Sequence, residues 1–152
     1  MSKRRFRSGV SLLTHPLWFR LDRVRDYSQM TYICQKIKGV AYSKHKRRGR
    51  VDAPVKWTQK IIDQTKDLPK VKEACVLNIT FLLPPDKFPT DFPYGPDIDN
   101  LLKRFLDALN KTIFCETPGT DSCIVSLNVM KTKVETESVA GALLEVLPVS
   151  IT

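Results

Sequence analysis

PDIDNLLKRFLDALN, residues Pro96 to Asn110, is the stretch from which the fold of this chain is read. Ile98, Leu101, Leu102, Phe105, Leu106 and Leu109 recur at i, i+3, i+4, i+7, i+8 and i+11, one apolar stripe at helical period. A helix anchored along that stripe holds Asp99 and Lys103, four residues apart, together at its edge, where core gives way to solvent. Asp97 stands at the helix entrance, where unpaired N–H groups and the helix dipole favour negative charge. Taken alone, an aspartate at a helix start reads as a cap, and an Asp–Lys pair reads as a solvated surface pair.

Immediately upstream, residues 84–96 read PPDKFPTDFPYGP, a loop whose prolines restrict the backbone and deliver the chain to the aspartates. Before it, Cys75, Leu77, Ile79, Phe81 and Leu83 alternate with Val76, Asn78, Thr80 and Leu82, a strand apolar on one face and mixed on the other. Asp52 and Pro54 open an earlier helix with Trp57, Ile61, Thr65 and Leu68 on its inward stripe, and Pro69 is its expected end. Downstream of the central helix, a connector with Pro118-Gly119 leads to Asp121. Cys123, Val125, Leu127 and Val129 then alternate with Ile124, Ser126, Asn128 and Met130 as a further strand. Lys131 and Lys133 continue its register on the side of the apolar set. Ala142 to Leu147 reads as a last strand, in an antiparallel hairpin with the one before. Val10 to Leu21 reads as one strand, or two short strands around Pro16. Met30 to Val40 is ambiguous, because Tyr32, Ile33 and Ile37 also share a helix face. The expected fold is α/β in the α+β sense: one compact domain, a mixed sheet with two main helices, in the order β-α-β-α-β-β. Residues 1–9 are expected to form a basic flexible start, and residues 10–149 the domain, with a basic insertion or loop around 36–50.

The 152 residues carry a net charge of +9, unevenly spread. Residues 1–50 hold 14 Lys or Arg against Asp22 and Asp26, whereas the remainder is slightly acidic. A basic segment on an acidic body points to a polyanion, nucleic acid before membrane. Within it, Lys44, Lys46, Arg47, Arg48 and Arg50 make a self-repelling run that reads as an exposed loop. It serves as a grip on phosphates, a localisation signal or a plain solvated loop. Lys131 and Lys133 are secondary candidates for contact with a nucleic-acid backbone. No apolar run approaches the roughly 20 residues of a membrane span, so no membrane partner is expected. Cys34, Cys75, Cys115 and Cys123 form no CxxC pair, and His15 and His45 complete no zinc pattern. They read as reduced thiols of an intracellular protein, in cytoplasm or nucleoid, or in a nucleus or organelle.

If Asp97, Asp99 and Asp121 converge, they make a hard-oxygen site of the kind Mg²⁺ or Mn²⁺ prefers. Such an ion serves phosphodiester hydrolysis, and Lys103 would offset the charge that builds on phosphorus. Asp107 and Glu116 are further acids, but Asp107 lies two helical turns past Asp99 and reads as structural or solvated.

PDIDNLLKRFLDALN, followed by a connector and TDSCIVSLNVMKTKVE, resembles the RusA family of Holliday-junction resolvases. That family carries D-[LIV]-D-N-L-x-K-x-x-x-D-A-L and then an Asp before a β-strand. The resemblance implies that Asp97, Asp99 and Asp121 are metal-binding carboxylates and Lys103 a catalytic lysine. It implies a Mg²⁺-dependent endonuclease that acts as a homodimer and nicks two opposing strands of a four-way DNA junction. The family commonly doubles the downstream Asp, where this chain has Thr120-Asp121, and the connector here is longer. The competing expectation is a basic nucleic-acid-binding protein without catalysis, with the aspartates as caps.

Overall fold

The computed structural model describes residues 32–42, 53–87 and 95–149. The expected strand at 10–21, Asp52, the basic run from Lys44 to Arg50, and Phe88, Phe92 and Tyr94 lie outside the described residues. Among the described residues, four strands and two helices follow in chain order. They are β1 (Ile33–Lys38), α1 (Ala53–Thr65), β2 (Cys75–Leu83), α2 (Ile98–Leu109), β3 (Ile124–Lys133) and β4 (Gly141–Pro148). They form a mixed sheet of order β1-β4-β2-β3 with both helices packed on one face, an α+β arrangement.

The ambiguous segment at 30–40 is a strand. Ile33 and Ile37 are four apart, so they share a face at period 2 as well as in a helix, and pairing with β4 decides between the two. Both are buried in the core. α1 buries Trp57, Ile61 and Thr65 as the spacing predicts, but it stops at Thr65, four residues short of Pro69. The Leu68 N–H donates to the Thr65 carbonyl in the tighter turn that closes it.

β2 is the central strand, antiparallel to β4 and parallel to β3. The expected β3–β4 hairpin is therefore corrected: β2 lies between them. The reason is burial. One face of β2 is fully covered and the other half-covered, whereas β3 exposes Asn128, Met130 and Lys133, which suits an edge. The parallel β2–β3 pair needs a crossover, and α2 provides it. A ladder of polar side chains crosses the face away from the helices. Asn128 donates to Asn78 (2.9 Å), and Asn78 donates to Glu145 (2.9 Å).

Phe105 of α2 sits between the layers. Its ring meets Phe81 of β2 edge-on at 5.6 Å and stacks on Trp57 of α1 at 6.3 Å. Leu101, Ala108 and Leu109 complete the buried stripe, with Leu102 and Leu106 half-buried beside it. Ile98, at the first turn, is exposed. This packing fixes the line of α2, and so fixes where each of its ends projects.

Candidate active site

Asp97 is the N-cap residue of α2, with extended backbone (φ −64°, ψ 135°), and its carboxylate makes no capping hydrogen bond. Its backbone carbonyl accepts from the Leu101 N–H (3.1 Å), so the backbone starts the helix and the side chain is left for other work. Asp99, in the first turn, accepts from the N–H of Asn100 (2.9 Å) and is exposed. Lys103 is one turn further along and also exposed. Two carboxylates and an ammonium are thus exposed on the N-terminal half of α2.

Lys131 comes to the same end. It is half-buried, and its Nζ donates to the Pro96 carbonyl (2.6 Å), which ties the far part of β3 to the helix entrance. Lys133 continues on the same strand and is exposed. Both keep the expected register, opposite Phe81 and Leu83 of β2.

Asp121 stands at the other end of the helix. The side-chain amide of Asn110, the C-cap of α2, donates to the Asp121 carboxylate (3.1 Å). At a rise of 1.5 Å per residue, about 20 Å of α2 separates Asp97 from Asn110. A single chain therefore carries Asp97, Asp99 and Lys103 on the N-terminal half of α2 and holds Asp121 apart, at its other end. Among the described residues, no three acidic, His or Cys side chains gather closely enough to hold a metal ion.

The connector explains why Asp121 is held there. Ile113 and Phe114 are fully buried, and the Val71 N–H donates to the Ile113 carbonyl (2.7 Å). The Thr117 hydroxyl donates to the Val71 carbonyl, and the Thr65 and Thr112 hydroxyls share a buried hydrogen bond of 2.8 Å. Gly119 then takes the left-handed conformation (φ 76°), where a Cβ would lie 2.3 Å from the Ser122 hydroxyl oxygen. The chain turns through a short 3-10 segment, Thr120–Cys123, which carries Asp121 into β3. Asp121 thus precedes its strand as expected, with that turn between them.

The alternation expected for β3 breaks at Val125. Ile124 pairs with Cys75 and Ser126 with Val76, so Val125 is an extra residue in a bulge. Ile124 and Val129 pack on the core, while Val125 and Leu127 are exposed. Cys75 and Cys123 face each other across the start of the β2–β3 pair, sulfurs 4.0 Å apart. Burial, with Cys123 beside it, pushes the Cys75 thiol up to about 12, and burial also raises Cys123.

Asp107 is exposed on the flank of α2, and Glu116 pairs with Lys72 at 3.5 Å on the surface. Neither joins the end of the helix that carries Asp97. Two contributors were not read from the sequence. Asn110 looks like an ordinary helix-terminating residue, and only its contact with Asp121 gives it a role. The Lys131 link to Pro96 joins residues 35 apart, which no local pattern announces.

A family model described as endodeoxyribonuclease RusA matches residues 22–141, most of the chain. The chain belongs to the RusA family of endodeoxyribonucleases. The match spans α2, the connector and β3, and with them Asp97, Asp99, Lys103 and Asp121. It also spans 43–50, the basic run. The four-stranded mixed sheet with two helices is the RusA fold. No curated protein matches the chain. No helix among the described residues is long and apolar enough to cross a membrane.

Proposed function

We propose that this RusA-family chain is a divalent-metal-dependent, structure-selective endonuclease that resolves four-way DNA junctions by paired phosphodiester hydrolysis, acting as a homodimer. The observation that carries the reading is the uncommitted carboxylate of Asp97 beside the exposed Asp99, at the helix end where the family signature lies. A pair of hard oxygen donors open to solvent fits Mg²⁺ or Mn²⁺, which bind carboxylates and retain waters. Asp97 and Asp99 would hold the ion, and Asp121, which a single chain keeps at the far end of α2, would complete the ligand set across the homodimer.

Held by these carboxylates, such an ion would supply a Lewis acid for a phosphoryl oxygen and a more acidic water. Lys103, one turn from Asp99, offsets the negative charge that grows on phosphorus. Lys131 keeps the Pro96 carbonyl fixed, and so holds the backbone on which Asp97 is mounted. Lys133, together with Lys44, Lys46, Arg47, Arg48 and Arg50, supplies positive charge against the DNA backbone, which the carboxylates alone would repel.

The test is cleavage of a labelled synthetic four-way junction with and without Mg²⁺, beside Asp99→Asn. The expected result is metal-dependent nicking in the unaltered protein and at least a ~100-fold loss in the variant, the scale for removing one electrostatic contributor. Tight, salt-sensitive junction binding without nicks in Mg²⁺ or Mn²⁺ would instead favour a non-catalytic DNA-binding protein.

A further inference from the structure

We propose that Arg104, at the seam between α2 and the start of α1, is a phosphate contact for the DNA strand. It lies between the carboxylates of α2 and the basic run from Lys44 to Arg50. This contact presupposes the DNA-cutting site proposed above and adds a residue that belongs neither to the aspartates nor to the run.

The first observation is where Arg104 stands. It follows Lys103 directly and lies seven residues after Asp97, close to two full turns, so it returns to the flank of α2 that Asp97 heads. At 1.5 Å per residue the two are about 10 Å apart along the helix axis. One strand of duplex DNA carries a phosphate about every 3.4 Å of its axis. A strand whose scissile phosphate sits at the carboxylates therefore presents a different, neighbouring phosphate to Arg104.

The second observation is what the guanidinium touches. Arg104 is half-buried, and its Nη1 donates to the Thr58 hydroxyl (2.9 Å) and to the Pro54 carbonyl (3.4 Å). The Thr58 hydroxyl donates in turn to the same Pro54 carbonyl (2.9 Å), which leaves its lone pairs for the guanidinium. Both acceptors are neutral. Among the described residues no carboxylate pairs with Arg104, although Asp107 stands exposed three residues further along α2. Nε is buried without a partner, and Nη2 makes no hydrogen bond either. A cation this far out of water is normally paired. Here one corner is held, while the Nε–Nη2 edge keeps its donors unmet. Two parallel N–H groups on such an edge match two phosphate oxygens. Because Thr58 and Pro54 fix the other corner in advance, little side-chain freedom remains to be lost on binding.

The third observation is continuity with the basic run. Pro54 is the second residue of α1, and Arg50 precedes it by four residues. Chain connectivity alone keeps Arg50 within about 14 Å of Pro54. The hydrogen bonds of Arg104 thus fasten α2 to the part of the fold where the basic run rejoins it. Lys103, exposed beside Arg104, extends the positive charge toward the carboxylates.

Salt-dependent binding of a four-way junction, followed by anisotropy with Ca²⁺ in place of Mg²⁺, tests the contact. Arg104→Gln keeps a donor for Thr58 and loses the charge. Its affinity is expected to fall roughly 10-fold, and the slope of log K against log salt to shrink by about one between 50 and 200 mM. Arg104→Lys keeps the charge without the fork, so it is expected to retain the slope and recover part of the affinity. A role confined to joining the two helices predicts a lower melting temperature in Arg104→Gln with the slope unchanged, and that result would overturn the proposal. Phenylglyoxal labelling of the unaltered protein, read by mass spectrometry, needs no variant. Junction DNA is expected to protect Arg104, and equal labelling with and without DNA would overturn the contact. A chain that binds junctions without nicking them counts against the proposed activity while leaving the slope readable. One that binds no DNA overturns both.

Discussion

Replacing Phe105 with alanine removes the side chain through which α2 grips both the sheet and α1. The ring is fully buried, edge-on to Phe81 at 5.6 Å and stacked on Trp57 at 6.3 Å. A buried aromatic side chain takes about 150–250 Å² out of water, and Phe→Ala changes in cores cost about 3–5 kcal/mol once the cavity is counted. Two ring neighbours from different elements cannot close in together, so collapse around the void is limited and the expected loss is about 4 kcal/mol. Against a total stability of about 5–15 kcal/mol this is severe, and it lowers the melting temperature by about 12 °C for a chain of this size. Urea titration is the assay. Fluorescence reports it, because Trp57 is in contact with the altered position and Trp18 is the only other tryptophan. Ile98→Ala is the control: Ile98 belongs to the same sequence stripe but is 37% exposed, so its loss is expected to stay below about 1 kcal/mol. A Phe105→Ala loss below about 1 kcal/mol with an unchanged urea slope would refute the packing, and with it the placement of both ends of α2.

Asn110→Ala removes the amide that orients the Asp121 carboxylate. Asn110 has a helical backbone (φ −63°, ψ −18°) that alanine adopts freely, so Mn²⁺ affinity is expected to fall about 10–100-fold by calorimetry with little change in melting temperature. Neutralising Lys44, Lys46, Arg47, Arg48 and Arg50 to glutamine is expected to weaken junction binding and flatten its dependence on salt, measured by anisotropy between 50 and 200 mM; an unchanged slope would remove the run from the DNA contacts. Cys75 predicts an alkaline limb in stability. The folded thiol keeps its proton up to about 12 while the unfolded one loses it near 9.0, so unfolding releases a proton above pH 9 and stability falls as pH rises from there. Melting curves from pH 8 to 11 should slope less steeply in Cys75→Ala than in the unaltered protein.

The parts of the fold that were legible in the sequence are those where one periodicity stood alone. The stripe of α2 repeats at helical spacing and no other, and β2 alternates without a break, so both follow from local pattern. Ile33 and Ile37 satisfy two periods at once, and only the partner strand β4 resolves them. The bulge at Val125 is a matter of pairing with Cys75 and Val76, which the alternation of β3 cannot reveal. Strand order escaped for the same reason: β3 and β4 are neighbours in sequence, but β2, buried on one face and half-covered on the other, lies between them. Of the candidate site, the Asp97, Asp99 and Lys103 end of α2 was legible, because one short helix carries it. The place of Asp121 was not. It depends on how the connector, with Thr112, Ile113, Phe114 and Thr117 buried, folds back against Val71 and so docks the 3-10 turn onto Asn110.

The central claim, paired cutting by a metal-dependent enzyme, is tested most directly on a supercoiled plasmid that extrudes a cruciform. Two nicks made in one encounter convert the circle to a linear molecule, whereas single nicks leave a relaxed circle. In Mg²⁺ the account predicts linear product from the first time points, and none in chelator. Relaxed circles alone, or linear product that forms without metal, would contradict it.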